Sequence, residues 1–93
     1  MKIQPDEMEI RGVWSMRGGR MEADQTCRRV EQLIEQVLRE AGRDPSGWDV
    51  LYVDPTDGRH WELVYPESHL HGGGPPTLRH LREAETRKKY GIP

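Results

Sequence analysis

The clearest pattern in the chain is an apolar stripe with helical spacing that follows Asp24. Apolar side chains recur every three or four residues, at Ala23, Cys27, Val30, Ile34, Val37 and Ala41, with Leu33 and Leu38 beside them. This spacing predicts an amphipathic helix that buries one face. Asp24 fits the N-cap position, while Gly42 and the Asp44-Pro45 pair fit the end of a helix. We therefore expect one long helix that runs to about Ala41.

A first hairpin is predicted before this helix. Residues 9–17 place Ile10, Trp14 and Met16 on one side at the period of two that is typical of a strand. The Gly18-Gly19 pair that follows can adopt the positive φ angles of a tight turn, and residues 20–22 would form the returning strand. We expect the three apolar side chains to share one face.

A second hairpin is predicted after the helix. Residues 48–53 and 60–65 are rich in β-branched and aromatic side chains, and Asp54-Pro-Thr-Asp-Gly58 between them is typical of a turn. In the second strand Trp61, Leu63 and Tyr65 fall on one face. Alternation then predicts that His60 and Glu62 face outward.

The rest of the chain completes the predicted fold. Glycines and prolines in residues 67–76 exclude regular structure there. Thr77–Leu81 reads as a short strand, and residues 83–90 read as a short helix that Gly91 ends. The sum is a single α+β domain over residues 1–93, with an antiparallel sheet of about four strands packed against one long helix and a short C-terminal helix.

Composition narrows the functional classes. A chain of 93 residues with a net charge of −2 is too short for two domains and lacks the basic balance of a general nucleic-acid binder. It shows neither an apolar run of transmembrane length nor a signal-peptide pattern, so we expect a cytoplasmic protein. Its single cysteine, Cys27, lies on the apolar stripe, which favours a buried side chain over a reactive thiol.

Charge is distributed unevenly along the chain. Residues 44–67 contain six acidic residues and one basic residue, whereas residues 79–93 contain five basic residues and two acidic ones. An acidic surface of this kind would steer a basic partner. The basic C-terminal run suggests an RNA-associated protein as a weaker alternative, because Tyr90 is the only aromatic residue beside it.

Several residues suggest catalysis or metal binding without completing a motif. His60, His69 and His71, with Glu62 or Glu67, are residue types that bind zinc, but their spacing matches no established zinc motif. His71-Gly72-Gly73-Gly74 looks like an esterase oxyanion loop, yet no Gly-x-Ser-x-Gly elbow accompanies it. We favour close backbone approach as the reason for these glycines. A small hydrolase or metal-dependent enzyme that uses His60, Glu62, His69 and His71 remains the competing functional hypothesis.

The residues from Ser46 to Pro76 resemble the core of the immunity protein 27 family of bacterial polymorphic toxin systems. The resemblance is carried, in order, by Ser46-Gly47-Trp48, Leu51-Tyr52, Asp54-Pro55, Asp57-Gly58-Arg59, Trp61-Glu62, Tyr65-Pro66 and His71-Gly72-Gly73-Gly74-Pro75-Pro76. It extends more loosely over nearly the whole chain, including Lys89-Tyr90-Gly91. Where the family has an arginine before the Asp-Pro turn and an aromatic residue before the tryptophan, this chain has Val53 and His60. This difference bears on the choice of partner.

The resemblance implies a small cytoplasmic protein that binds and neutralises a cognate toxin domain, without catalysis and without a cofactor or metal. The acidic segment would then cover a basic cleft of the toxin, as expected for a toxin that acts on nucleic acid. The residues that we expect to contact this protein partner are Asp54, Asp57, Arg59, His60, Glu62, His69 and His71. An equally weighted alternative is that the turn and the glycine-rich loop serve folding, with Trp48, Trp61 and Tyr65 packed on the helix.

Overall fold

The computed structural model describes residues 2–68 and 74–91. Within these residues the chain forms seven strands and two helices. In chain order they are β1 (Glu9–Arg11), β2 (Trp14–Arg17), β3 (Arg20–Ala23), α1 (Gln25–Gln36), β4 (Arg39–Arg43), β5 (Val50–Val53), β6 (His60–Val64), β7 (Thr77–Leu81) and α2 (Glu83–Tyr90). No helix in this part of the chain is both long enough and apolar enough to cross a membrane.

The described strands form a main sheet of five strands and a separate two-stranded hairpin. The order in the main sheet is β1-β7-β6-β5-β4, and each pair of neighbours is antiparallel. Strands β2 and β3 pair only with each other. The predicted α+β class and antiparallel sheet are confirmed, and the main sheet has one strand more than the expected four or so.

Helix α1 is shorter than the sequence predicts. Its beginning is confirmed, because the Asp24 carboxylate accepts a hydrogen bond from the Cys27 amide at 2.9 Å. The predicted end at about Ala41 is wrong, because the helix ends at Gln36. The amides of Val37 and Leu38 both donate to the Leu33 carbonyl, at 3.0 and 2.7 Å, and the chain then leaves the helix. The residues that follow become strand β4 because they pair with the open side of β5.

The edges of the main sheet are short or irregular. Strand β4 carries charged side chains along its length, and its pairing with β5 shifts register between Glu40 and Gly42. Gly42 therefore belongs to a bulged strand rather than to a helix cap, which corrects the sequence prediction. At the opposite edge, β1 spans three residues.

The stretch predicted as one strand over residues 9–17 is broken at Gly12. A Cβ atom on Gly12 would lie 2.6 Å from the Cys27 sulfur and 2.7 Å from the Pro76 carbonyl oxygen, so only glycine fits this close approach. The chain leaves the main sheet here and begins the small hairpin. Ile10 is consequently buried at 3% exposure while Met16 is 68% exposed, and the expected shared apolar face does not form.

The main sheet has two differently built faces. The face that packs against α1, here called the α1 face, forms the hydrophobic core. The buried members of that core are Ile3, Ile10, Val30, Leu33, Leu38, Val50, Tyr52, Trp61, Leu63 and Leu78. The opposite face, here called the α2 face, carries Glu62 and Arg79 on adjacent strands, beneath the end of α2.

Candidate partner-binding surface

The β5–β6 turn carries four of the predicted contact residues. Asp54 is fully buried, and its carboxylate accepts hydrogen bonds from the Thr56 amide at 2.9 Å and the Thr56 hydroxyl at 2.6 Å. Gly58 has φ +78°, a conformation that favours glycine, and its amide donates to the Asp54 carbonyl at 2.7 Å. The Asp54 carboxylate therefore shapes the turn from inside, while Pro55 and Asp57 remain exposed.

Arg59 ties this turn to the N-terminal segment. Its guanidinium donates to the Asp57 carboxylate at 2.7 Å and to the backbone carbonyls of Gln4 and Glu7, each at 3.0 Å. It also lies over the Trp61 ring, 5.1 Å from the ring centre, in cation–π geometry. Partial burial of the Asp57 carboxyl works against ionisation, but the hydrogen bonds from Arg59 outweigh it and lower the Asp57 pKa. Arg59 thus links the β5–β6 turn to the N-terminal segment and to Trp61.

An open cavity of about 430 Å³ lies beside the turn. It is lined by Gly58, Arg59, His60, His80, Leu81, Arg82 and Glu83. His80 packs edge-on against Trp61 with the ring centres 5.8 Å apart, and its Nδ1 has no hydrogen-bond partner among the described residues. Burial, followed by the neighbouring Arg59 charge, lowers the His80 pKa. Two imidazoles, those of His80 and the half-buried His60, therefore line this cavity.

Glu62 corrects the sequence prediction most clearly. It was expected to face outward, but its side chain is fully buried on the α2 face. Oε1 accepts a hydrogen bond from Arg79 at 2.7 Å, while Oε2 accepts one from the Tyr90 hydroxyl at 2.6 Å and lies 2.6 Å from the Lys89 ammonium. The reason is that α2 covers this face of β6 and supplies groups that compensate the buried charge.

The pKa values in this cluster follow from the same contacts. Burial favours the neutral form of Glu62, but the hydrogen bonds from Lys89, Tyr90 and Arg79 outweigh it and lower the Glu62 pKa. Burial and the hydrogen bond to Glu62 raise the pKa of the Tyr90 hydroxyl. Glu62 is therefore an ionised structural group that joins β6, β7 and α2.

Part of the charge asymmetry of the sequence cancels in space. Lys89 reaches the Asp49 carboxylate at 2.7 Å as well as Glu62, so the basic C-terminal segment lies against the acidic hairpin. Arg79 and Arg59 neutralise Glu62 and Asp57 in the same way. The acidic segment consequently presents less unpaired negative charge than its composition indicates.

The predicted contact residues do not form one site. Asp57, Arg59 and His60 meet at the turn, whereas Asp54 and Glu62 are buried near it. His69 and His71 lie outside the described residues. The flanking residues Ser68 and Gly74 are at the opposite end of β6 from the turn, where the Ser68 amide donates to the Tyr65 carbonyl at 3.1 Å.

Gly74 supports the backbone explanation of the glycine-rich stretch. It has φ +80°, and a Cβ atom there would lie 2.5 Å from the Glu67 carbonyl oxygen. Within residues 2–68 and 74–91, no group of three histidine, cysteine, aspartate or glutamate side chains could hold a metal ion. The metal-dependent alternative, which also needs His69 and His71, is not tested by the described residues.

Comparison with protein families gives a decisive result. A family model described as Immunity protein 27 matches residues 16–82, which is more than half of the chain. The chain belongs to the immunity protein 27 family. No curated protein and no solved structure matches it significantly. The immunity protein 27 match begins within β2 and ends just before α2, so it contains the whole β5–β6 hairpin but not Lys89 and Tyr90.

Sequence reasoning missed the residues that close the α2 face. Lys89 and Tyr90 enter the sequence analysis through the C-terminal helix, the basic run and the family resemblance, but no contact between them and Glu62 is predicted. The opposite charges of the two segments were the available indication that they meet. It also placed Trp48 in the core as one alternative, whereas Trp48 is 56% exposed. Trp61, in contrast, is fully buried against α1 as that alternative expected.

Proposed function

We propose that this immunity protein 27 family member binds a cognate toxin domain directly and neutralises it in the cytoplasm of the cell that produces both. The observation that carries the proposal is the family match over residues 16–82. Neutralisation by contact requires a surface that is formed before the partner arrives, because ordering a loop on binding reduces affinity. The β5–β6 turn, held by Asp54 and Arg59, meets this requirement.

We assign the direct contacts at the turn to Asp57, His60 and the rim of the adjacent cavity. Arg59 contributes by holding the turn, since its side chain is 18% exposed and its donors are engaged. Asp54 and Glu62 support the surface from inside. His69 and His71 stay in the proposed contact set through their place in the sequence.

The toxin surface that meets this chain is proposed to be basic, as a toxin that acts on nucleic acid would present. The support is the excess of acidic residues in the hairpin. Because the ion pairs to Arg59, Arg79 and Lys89 neutralise part of this charge, attraction should act mainly at short range.

The test is co-expression of this chain with the toxin domain encoded beside its gene. The expected result is rescue of growth together with a stoichiometric complex that survives purification. Rescue without a complex would contradict the proposal and favour an enzymatic antidote. Failure to rescue with the neighbouring toxin would contradict it as well.

The contact surface is tested by Asp57→Asn combined with His60→Ala. We expect about 10-fold weaker binding, since a minority of contacts carries most of the affinity of an interface. Glu35→Gln removes one charge from the exposed side of α1 and is the matched control. Equal affinity of the double variant and the control would remove the turn from the interface.

A further inference from the structure

A second surface feature lies at the other end of the β5–β6 hairpin. Trp48 is 56% exposed just before β5, and its ring meets that of Tyr65 edge-on, with centres 5.9 Å apart. Tyr65 is half-buried and packs against the hydrophobic core. Trp48 therefore exposes much of a large apolar ring to solvent, while Tyr65, which packs against the core, supports that ring from one side.

The loop that carries Trp48 is held by several internal hydrogen bonds. The Asp44 amide donates to the Asp49 carbonyl and the Gly47 amide to the Asp44 carbonyl, both at 3.0 Å. The Ser46 hydroxyl donates to the Asp44 carboxylate at 2.8 Å, and the Trp48 amide donates to Ser46 Oγ at 3.1 Å. A tryptophan held this way loses little conformational entropy when a partner covers it.

Two open cavities adjoin Trp48. One cavity of about 310 Å³ is lined by Trp48, Asp49, Tyr65 and Ser68. A second, of about 340 Å³, is lined by Arg43, Gly47, Trp48, Val50, Tyr52, Leu63 and Tyr65. A long side chain from a partner can therefore lie along the indole ring without displacing this chain.

Local charge selects the chemistry of that side chain. Asp49 and Glu62 are balanced by Lys89 and Arg79. Asp44, in the same loop as Trp48, forms no ion pair with any residue of the described ranges. Lys89 lies near enough to contribute to the lowered pKa of Asp44, and Arg43, which lines one of the cavities, is paired with Glu40. These four carboxylates and three cations still leave one net negative charge in this region, which favours a cation at the exposed indole ring.

We infer that Trp48, with Asp44 beside it, is the anchor for an arginine or lysine side chain of the toxin domain. This inference rests on the proposed function. The cation lies over the indole ring, where cation–π attraction is strongest among the aromatic side chains, and Asp44 supplies the opposite charge. Tyr65 keeps the ring in place. The anchor lies at the opposite end of β5 from the turn, so the toxin spans the length of the hairpin.

The experiment measures affinity for a catalytically inactive form of the toxin domain encoded beside this gene. Trp48→Ala should weaken binding about 30-fold or more, as removal of an interface hot spot does. Trp48→Phe, which keeps a smaller aromatic face, should restore part of the loss. Asp44→Asn keeps the acceptor oxygen of the loop, so it should weaken binding only about 3-fold but reduce its salt dependence.

Met16→Ala is the matched control, because Met16 is 68% exposed on the separate hairpin. All variants should keep the wild-type thermal midpoint, since Trp48 contributes little to the core. Wild-type binding that Trp48→Ala leaves unchanged would overturn the anchor and leave the proposed function standing. Unchanged salt dependence in Asp44→Asn would overturn the basic occupant. A wild-type chain that does not bind would remove the proposed function, and the anchor with it.

Discussion

The two faces of the main sheet are stabilised by different kinds of interaction. On the α1 face Trp61 is fully buried among apolar side chains such as Leu33 and Leu78. On the α2 face its neighbour in sequence, Glu62, is equally buried, and its carboxylate contacts Arg79, Lys89 and Tyr90. This face also buries Leu51 and Leu81, which lie outside the main apolar cluster. Burial of apolar area on the α1 face gives a large stabilisation that does not depend on precise orientation. On the α2 face, the ion pairs and hydrogen bonds of Glu62 must first compensate the free-energy cost of removing its charge from water.

The comparison of the two faces predicts which helix undergoes local unfolding more readily. Thr86 is the only residue of α2 that is buried, and its hydroxyl donates to the Arg82 carbonyl within the same helix. Helix α1 buries Cys27, Val30 and Leu33. Elements with few buried apolar contacts lie at the low end of local stability, so α2 should detach more readily than α1.

The largest effect is expected on the α1 face. Trp61→Ala removes a fully buried aromatic side chain and should lower the free energy of unfolding by about 3–5 kcal/mol. Chemical denaturation monitored by circular dichroism measures this loss. A loss below that of the Glu62 variant described next would reverse the proposed ranking of the two faces.

A smaller effect is expected from Glu62→Gln, at about 1–3 kcal/mol, because three donors lose a charged acceptor while Arg79 and Lys89 keep some access to water. Hydrogen exchange should show faster exchange in α2 than in α1. Glu83→Gln is the matched control, since Glu83 is exposed at the start of the same helix. Similar destabilisation by both variants would contradict a special role for the buried carboxylate.

Acidification should loosen the α2 face selectively. The folded state lowers the Glu62 pKa from its ordinary value of 4.5, so this group stabilises the fold above pH 4.5. That contribution is lost as the pH falls through the folded pKa. Amide exchange in α2, referenced to α1, should therefore rise below pH 4.5 in the wild type. Glu62→Gln should remove most of this pH dependence; a variant that retains it would assign the effect to another group.

The smallest effect concerns an ion pair on the α1 side. Glu7 accepts hydrogen bonds from Arg29 at 2.6 and 2.7 Å, and this contact lowers the Glu7 pKa to about 2. Both side chains keep partial access to water, so Glu7→Gln should cost only about 0.5–1 kcal/mol at neutral pH. The contribution is present above pH 4.5 and is lost towards pH 2. Urea unfolding midpoints across that pH range measure this contribution to stability. If Glu7→Gln lowered the free energy of unfolding as much as Glu62→Gln does, the difference in burial between the two carboxylates would not determine their contributions.

Local chemistry made several elements predictable. Asp24 begins α1, the Asp54–Gly58 turn joins two strands, and Gly91 ends α2 with φ +67°. Each depends on hydrogen bonds or backbone angles within a few residues. The fold class followed because these elements leave few arrangements for a chain of this length.

The errors arose where distant residues decide the structure. Strand β4 replaces the end of the predicted helix because its backbone pairs with the edge of β5. The apolar stripe alone does not indicate this pairing. Glu62 is buried because α2 folds back over it. Alternation correctly separated Glu62 from Trp61, but it could not tell that both faces of β6 are covered. The turn residues were predictable as a group, whereas the exposure of Trp48 depends on where the core ends.

The irregular margins of the main sheet limit how another protein can approach it. A partner that extended the sheet would have to pair with charged, bulged β4 or with three-residue β1, and charges and bulges at such positions disfavour edge-to-edge pairing. By the same argument, these margins should disfavour edge-to-edge aggregation of the chain. A partner should therefore contact side chains of this chain rather than pair with the backbone of an edge strand. Substitutions at exposed positions of this chain should therefore alter what it binds without changing the strand order.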